Sequence, residues 1–376
     1  MRPYRFALVV LIPVLFYGCS HAGTTTPALS TSTGLPMQTL SGVVHGNFTE
    51  YALPSGAKPT AFTKGPYSTL WFDQNLGGLF GNGFNVYRFS EGNGTTSTFS
   101  RAAPWSAVSS VLTVNALMYF IALNPNGPGE NPEDLSHATT TGSIVIGPQV
   151  ASDEQIGTLV YGADGKIWFP DCVQACGEYS SGDYVRSIST SGANGVTVQL
   201  PSFTANQMTP GPGGYMYVTA SFTNALPPPT PSNDSEVFVI STAGSIVHEF
   251  ALPHGSVPSG IAVGSDHNLW IAEPGINKIA RMNPGTGAVT QFTIPTAGAQ
   301  AAYISGGADT ATWFTETHGN KIGRITPSGS ITEWTIPKVN SGPSAITYCT
   351  TQCPPHGGVW FAETAADKVG KFISPL

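Results

Sequence analysis

The feature that most restricts the fold is a phrase that returns three times toward the C-terminus. It reads Leu269-Trp270-Ile271-Ala272-Glu273, then Asn277-Lys278-Ile279-Ala280-Arg281. It recurs as Trp313-Phe314-Thr315-Glu316 with Asn320-Lys321-Ile322-Gly323-Arg324, and as Val359-Trp360-Phe361-Ala362-Glu363 with Asp367-Lys368-Val369-Gly370-Lys371. Repetition at a fixed period marks a repeat architecture, in which each unit buries its apolar face against a copy of itself. The runs alternate apolar and polar residues and end in Gly, Asn, Ser and Thr, so the units are β rather than helical. Weaker copies extend upstream. The central aromatic of each gives Trp71, Tyr119, Trp168, Tyr217, Trp270, Trp313 and Trp360, spaced 43 to 53 residues apart. A unit of that length is too long for a hairpin and fits a four-stranded sheet. The expected fold is all-β, a seven-bladed β-propeller; the rival β-solenoid would need shorter rungs.

Strand order within a unit is readable as well. An inner strand such as Ser259-Gly260-Ile261-Ala262-Val263 precedes the aromatic strand. The Lys-Ile-Gly-Arg strand follows, and an outer strand such as Ile331-Thr332-Glu333-Trp334-Thr335-Ile336-Pro337 comes last. The seventh unit stops after its third strand. An orphan outer-strand copy, Phe48-Thr49-Glu50-Tyr51-Ala52-Leu53-Pro54, precedes the first unit. This N-terminal strand is expected to complete the last blade and close the ring, leaving no large unpaired edge; the alternative is a stray edge strand.

Only 10% of the residues are charged, with 44 Gly and 31 Pro, which suits a turn-rich β protein. The formal net charge is −7 and no basic run is interleaved with aromatics, which argues against nucleic-acid binding. Arg2 and Arg5 precede a short apolar run, Phe6 to Phe16, of signal-peptide rather than membrane-spanning length. Phe16-Tyr17-Gly18-Cys19 then resembles a lipoprotein signal, with Cys19 the lipidated residue; an ordinary secretory signal is the alternative. The expected organisation is a signal segment over 1–19, a Ser/Thr/Gly-rich tether over 20–46 and the propeller over 47–376. An exported monomer is expected, touching a membrane only through its lipid.

Beyond Cys19, four cysteines form two Cys-x-x-x-Cys pairs, Cys172 with Cys176 and Cys349 with Cys353. An even count in an exported chain favours disulfides. A shared tetrathiolate zinc site is the alternative. It fails on geometry, because one pair follows the aromatic strand of its blade and the other precedes it, on opposite faces of the ring. Two local staples are expected.

Propeller ligands, whether a small molecule or a cell-envelope component, are expected at the channel mouth, framed by the loops joining second and third strands. These loops are short in blades five to seven and long in blades one to four, where Phe80, Phe84 and Phe222 are candidate wall aromatics. The third position after the marker is acidic in four blades, at Asp171, Glu273, Glu316 and Glu363. Converging carboxylates would hold a divalent cation such as Mg2+ or serve as acid and base. Because the acid recurs with the repeat, it can equally brace each blade. His318 does not recur, and with Glu316 two residues away it is the candidate base.

The phrase Trp313-Phe314-Thr315-Glu316 … Asn320-Lys321-Ile322-Gly323-Arg324, with Ile331-Thr332-Glu333-Trp334-Thr335-Ile336-Pro337, resembles the streptogramin B lyase (virginiamycin B lyase) family, clearly over 246–376 and in outline over 48–245. The resemblance implies a seven-bladed propeller. It also implies magnesium-assisted elimination that opens a cyclic depsipeptide, the metal polarising an ester while a base takes the proton alpha to its carbonyl. The family pattern has a Tyr and two His at the second position of Pro-x-Gly-Ile in blades one, six and seven. A Glu precedes the last His, and another follows the last aromatic strand. Here those positions hold Thr60, Ala302 and Ser344, with Gly342 in place of the Glu; only Glu363 matches. Two expectations follow. One is a ligand-binding scaffold without the catalytic set. The other is a magnesium-dependent carbon–oxygen lyase or lactone hydrolase in which Glu316 and His318 take over.

Overall fold

The structure is a computed structural model. It describes residues 38–39, 42–65, 68–73, 84–91, 95–101, 106–123, 133–139, 141, 143–151, 154–173, 182–222, 234–307, 309–349 and 358–375. These form seven antiparallel sheets; the first six build from inner to outer strand in chain order, and the seventh takes its outer strands from the N-terminal part of the chain. Blade five, for example, pairs Ile261–Val263, Leu269–Glu273, Lys278–Met282 and Val289–Thr293 in succession. Blade six repeats this with Ala301–Gly306, Thr312–Glu316, Lys321–Ile325 and Ile331–Thr335. The fold is a seven-bladed β-propeller, as the period requires.

All seven marker aromatics lie on second strands and are buried, none more than 4% exposed. Their recurrence has a packing cause. In blade six Trp313 stacks on Trp334 of the outer strand at 5.7 Å, and the Arg324 guanidinium of the third strand lies over the Trp313 ring. Trp270 repeats this with Phe292 and Arg281, and Trp71 with Phe99 and Arg88. An aromatic pair capped by a cation ties three strands together through area burial, ring stacking and cation–π attraction. The indole N–H donates to an aspartate four residues upstream in Trp168 (Asp164), Trp270 (Asp266) and Trp313 (Asp309). A buried polar atom on each large ring is thereby satisfied.

The ring closes as the orphan copy requires. Phe48–Ala52 pairs with Lys368–Ile373, in register from Phe48↔Phe372 to Ala52↔Lys368. Phe48 packs on Phe372 at 4.6 Å and edge-on against Phe361 at 6.1 Å. Asp367 adds a side-chain latch: its Oδ2 accepts from the Gly56 N–H and its Oδ1 from the Lys58 N–H, both at 2.8 Å. Asn277 and Asn320 fill the same place in blades five and six, accepting from Ala299 and Ser341. All three adopt positive φ between 51° and 56°, a conformation that Asn and Asp tolerate better than most residues.

The expected tether is too long at its C-terminal end. Gln38–Thr39 pairs with the outer strand of blade one, and Gly42–His45 forms a hairpin with Phe48–Ala52 as a fifth strand of blade seven. Val43 and Val44 are 55% and 66% exposed on that strand, so backbone pairing rather than burial holds it and no apolar period betrays it. Cys19 and the signal segment lie outside the described residues.

Candidate functional site

The inner strands of all seven blades converge on a central channel with a cavity of about 320 Å³. Its wall is mainly aliphatic, with Phe62, Val111, Met208, Ile261 and Ile346 among its side chains, and polar groups enter from Thr60, Ser110, Gln207 and Tyr303. No histidine and no glutamate lines it among the described residues.

Hydroxyl-to-carbonyl bonds stitch adjacent blades together at the mouth. Thr317 donates to the Pro343 carbonyl at 2.8 Å, Thr364 to Pro59 at 2.6 Å, and Ser259 to Ala302 at 2.9 Å. The positions where the family pattern carries its reactive groups belong to this belt. The Thr60 hydroxyl donates to Asp73 Oδ2 at 2.5 Å, and the Thr60 and Ala61 N–H groups donate to Asp73 Oδ1 at 2.9 Å each. Ser344 shares a 2.7 Å hydrogen bond with Thr364. Ala302 offers no side-chain polar atom. Gly342 holds φ +60°, strained for a glutamate, and a Cβ there would lie 3.1 Å from the Ala365 Cβ.

The four recurring acids do not meet. Glu273, Glu316 and Glu363 are fully buried and turned along their own blades toward the outer strand. Glu273 accepts from Gln291 Nε2 at 2.6 Å, and Gln291 in turn accepts from Lys278 Nζ at 3.0 Å. In blade six Lys321 donates to Glu333 at 2.9 Å, and Glu333 also takes the Thr296 N–H and hydroxyl. In blade seven Lys368 donates to Glu50 at 2.6 Å, and Glu50 accepts the Lys338 N–H. In each of these blades a third-strand lysine thus bonds to a polar outer-strand residue beside the recurring Glu, but only Glu273 is itself hydrogen-bonded to that residue; both carboxylate oxygens of Glu316 and of Glu363 are buried without a hydrogen-bond partner. Asp171 is paired instead with Arg186 at 2.6 Å. Among the described residues no group of three His, Cys, Asp or Glu side chains is placed to hold a metal ion.

Burial governs the protonation of these acids. It pushes Glu316 up to about 8, with the negative charge of Glu333 adding and Lys321 opposing. Burial followed by Glu50 pushes Glu363 up to about 7, and burial pushes Glu273 up to about 7 against the Gln291 hydrogen bond. Carboxyls whose charged form burial disfavours, each sealed in its own blade, make a poor ligand set for a hard divalent cation. The residues present therefore do not fit the magnesium ion that the resemblance implies.

His318 and Glu316 are also kept apart. Glu316 lies sealed beneath Gly319, where an added Cβ would come within 2.6 Å of its carboxylate, whereas His318 is exposed on the turn. Of the wall aromatics, Phe84 is buried against Phe120 and Phe222 packs on Phe203; Phe80 lies outside the described residues. Cys172 ends the second strand of blade three, and Cys349 is buried just after the inner strand of blade seven, at opposite ends of their strands. Cys176 and Cys353 lie outside the described residues, and with them the pairing.

Two channel residues escape sequence reasoning. Asp73 is wholly buried, and burial raises its pKa against the hydrogen bonds from Thr60 and Ala61. Tyr303 reaches the channel from blade six, its phenol raised by burial and then by the charge of Asp73. Both break the repeat: Asp73 stands where blades five and seven carry Ala272 and Ala362, and Tyr303 where they carry Gly260 and Ala345. That departure is the signal that could have found them.

Comparison with known proteins agrees with this architecture. Residues 214–374 match the Virginiamycin B lyase family. Virginiamycin B lyase from Staphylococcus aureus superposes with a TM-score of 0.66 at 24% identity, over 87% of this chain and 99% of that one. A catalytically inactive histidine-to-alanine form of the same enzyme with quinupristin gives 0.67 at 24% over the same shares. A streptogramin B lyase structure gives 0.66 at 24%, over 86% and 96%. No curated protein matches the sequence. The repeat, the ring closure and these superpositions agree on a seven-bladed β-propeller, and residues 214–374 within it are similar to the Virginiamycin B lyase family.

Proposed function

We propose that this propeller is an exported, lipid-anchored ligand-binding scaffold that does not carry out the lyase reaction. The observation that carries the reading is the state of the mouth. Where the family pattern has a tyrosine and two histidines, this chain has Thr60 bonded to Asp73, Ser344 bonded to Thr364, and Ala302. Proton abstraction beside an ester needs a base within hydrogen-bond reach of the proton, and no imidazole lines the cavity among the described residues. The Staphylococcus aureus enzyme is catalytically inactive as a single histidine-to-alanine form, which supports reading Ala302 and Ser344 as losses. The wall, aliphatic with a few polar groups, suits retention of a small molecule or a cell-envelope component. The Cys19 signal supports export and lipidation, and the paired cysteines support two local disulfides.

The test is incubation of the purified chain with quinupristin and magnesium, followed by mass spectrometry and equilibrium dialysis. Antibiotic that stays cyclic while being retained supports the scaffold. Ring opening that is lost in Glu316→Gln or His318→Ala would instead establish the magnesium-dependent lyase. For the anchor, incorporation of a palmitate analogue should vanish in Cys19→Ala, and labelling that persists there would refute it.

A further inference from the structure

A second cavity, of about 410 Å³, lies off the axis between blades three, four and five. Pro170, Val257, Pro258 and Pro274 wall it, and Gln207 stands between it and the central channel, lining both. Asp183 of blade three also lines it and is only 1% exposed. Its Oδ2 accepts the Ala205 N–H at 3.0 Å; its Oδ1 is buried and has no hydrogen-bond partner. No lysine or arginine pairs with it among the described residues.

Asp183 stands at the latch position that holds Asn277, Asn320 and Asp367 in blades five to seven, one residue before the third strand. The Asp183 N–H donates to the Phe203 carbonyl and its own carbonyl accepts from Leu200, both at 2.8 Å. Gly182 just before it holds φ +106°, and a Cβ there would fall 1.8 Å from the Leu200 carbonyl oxygen. Only glycine allows the chain to deliver the acid at this point. Burial raises this carboxyl to about 6 against the Ala205 hydrogen bond, which leaves it mostly ionised at neutral pH. A buried carboxylate with one donor and no counter-charge is costly to hold. A hydroxyl donor would leave that charge uncompensated, and a lone carboxylate is too small a ligand set for a divalent ion. An ammonium supplies both charge and N–H.

We propose that this cavity binds a small, largely apolar molecule bearing a protonated amine, which donates to the Asp183 carboxylate while its body rests on the proline walls. Gln207 can supply a second polar contact at the channel side. The site goes beyond the scaffold reading, because it does not depend on whether the lyase reaction is retained.

The test is a fluorine NMR titration of the whole chain with 4-fluorobenzylammonium, alongside 4-fluorobenzyl alcohol as its neutral match. The ammonium should saturate and bind about tenfold or more tightly than the alcohol, the margin expected of a charge-assisted hydrogen bond. Asp183→Asn, with its fold checked by near-ultraviolet circular dichroism, should abolish that preference. Val257→Trp, at a rim position 54% exposed, should block both probes even if the Asn variant folds poorly. Equal affinity for the two probes, no saturation by the ammonium up to its solubility, or a preference that survives Asp183→Asn would each overturn the proposal.

Discussion

Blades five to seven and blades one to four are built on the same plan but use their acids in opposite ways. In the later blades the carboxylates obey the repeat, each buried beside a lysine that bonds to a polar outer-strand residue. In the earlier blades Asp73 breaks the repeat and is tied to the inner strand at the channel, while Asp183 stands at the latch position of Asn277, Asn320 and Asp367 and lines the off-axis cavity. A repeated charge answers a need that every blade has, whereas a charge that appears once answers a need of one place. Periodic glutamates in a propeller therefore point to structure, and an acid such as Asp73 that interrupts the period points to a local role.

The harshest way to break the comparison is to remove Phe48–Ala52. The later half then loses its outermost partner, and cooperative unfolding should disappear from urea titrations followed by circular dichroism. A milder cut, Phe48→Ala, should cost about 3–5 kcal/mol in the same titration, because that ring sits among Phe361 and Phe372.

The braces are tested by pH. Folding raises Glu316 to about 8 and Glu273 and Glu363 to about 7, so each binds its proton more tightly folded than unfolded. Their contribution is fully present in acid, below the unfolded carboxylate range, and is lost as pH rises through 7 and 8. Each group should add a slope of up to about 1.4 kcal/mol per pH unit in that window. Glu316→Gln should remove its share and raise the melting temperature at pH 9 relative to the parent chain; an unchanged pH profile would mean that Glu316 is ionised in the fold.

Asp367→Asn restores the residue of blades five and six and should cost less than about 1 kcal/mol. Asp367→Ala leaves the Gly56 and Lys58 N–H groups without their acceptor and should cost about 1–3 kcal/mol in thermal unfolding. At the small end, His318→Ala should change stability by no more than about 0.5 kcal/mol, which calorimetry would register as no shift.

Most of the ring was legible because its cause is local and repeated. Trp313, Arg324 and Trp334 announce one blade, and the same triplet of roles announces its neighbours. The closing strand was legible because Phe48-Thr49-Glu50-Tyr51 copies an outer strand lacking a sheet of its own. Gly42–His45 was not, since its valines stay in water and leave no burial period to read. The site was harder. A recurring Glu at the end of a second strand can turn to the channel or along the blade, and spacing alone does not choose. Its outer-strand neighbours, Gln291, Glu333 and Glu50, meet the lysine beside it only once the strands are in register. Asp73 with Tyr303 spans blades one and six, a separation no sequence window covers.

Because Phe48–Ala52 and Lys368–Ile373 share one ladder, the ring cannot close until both strands have been made. A chain interrupted earlier would present two raw sheet margins, each able to recruit a foreign strand. Phe48 and Phe372 lie 324 positions apart, so this last join ranks among the most non-local contacts the protein makes, and such contacts slow folding.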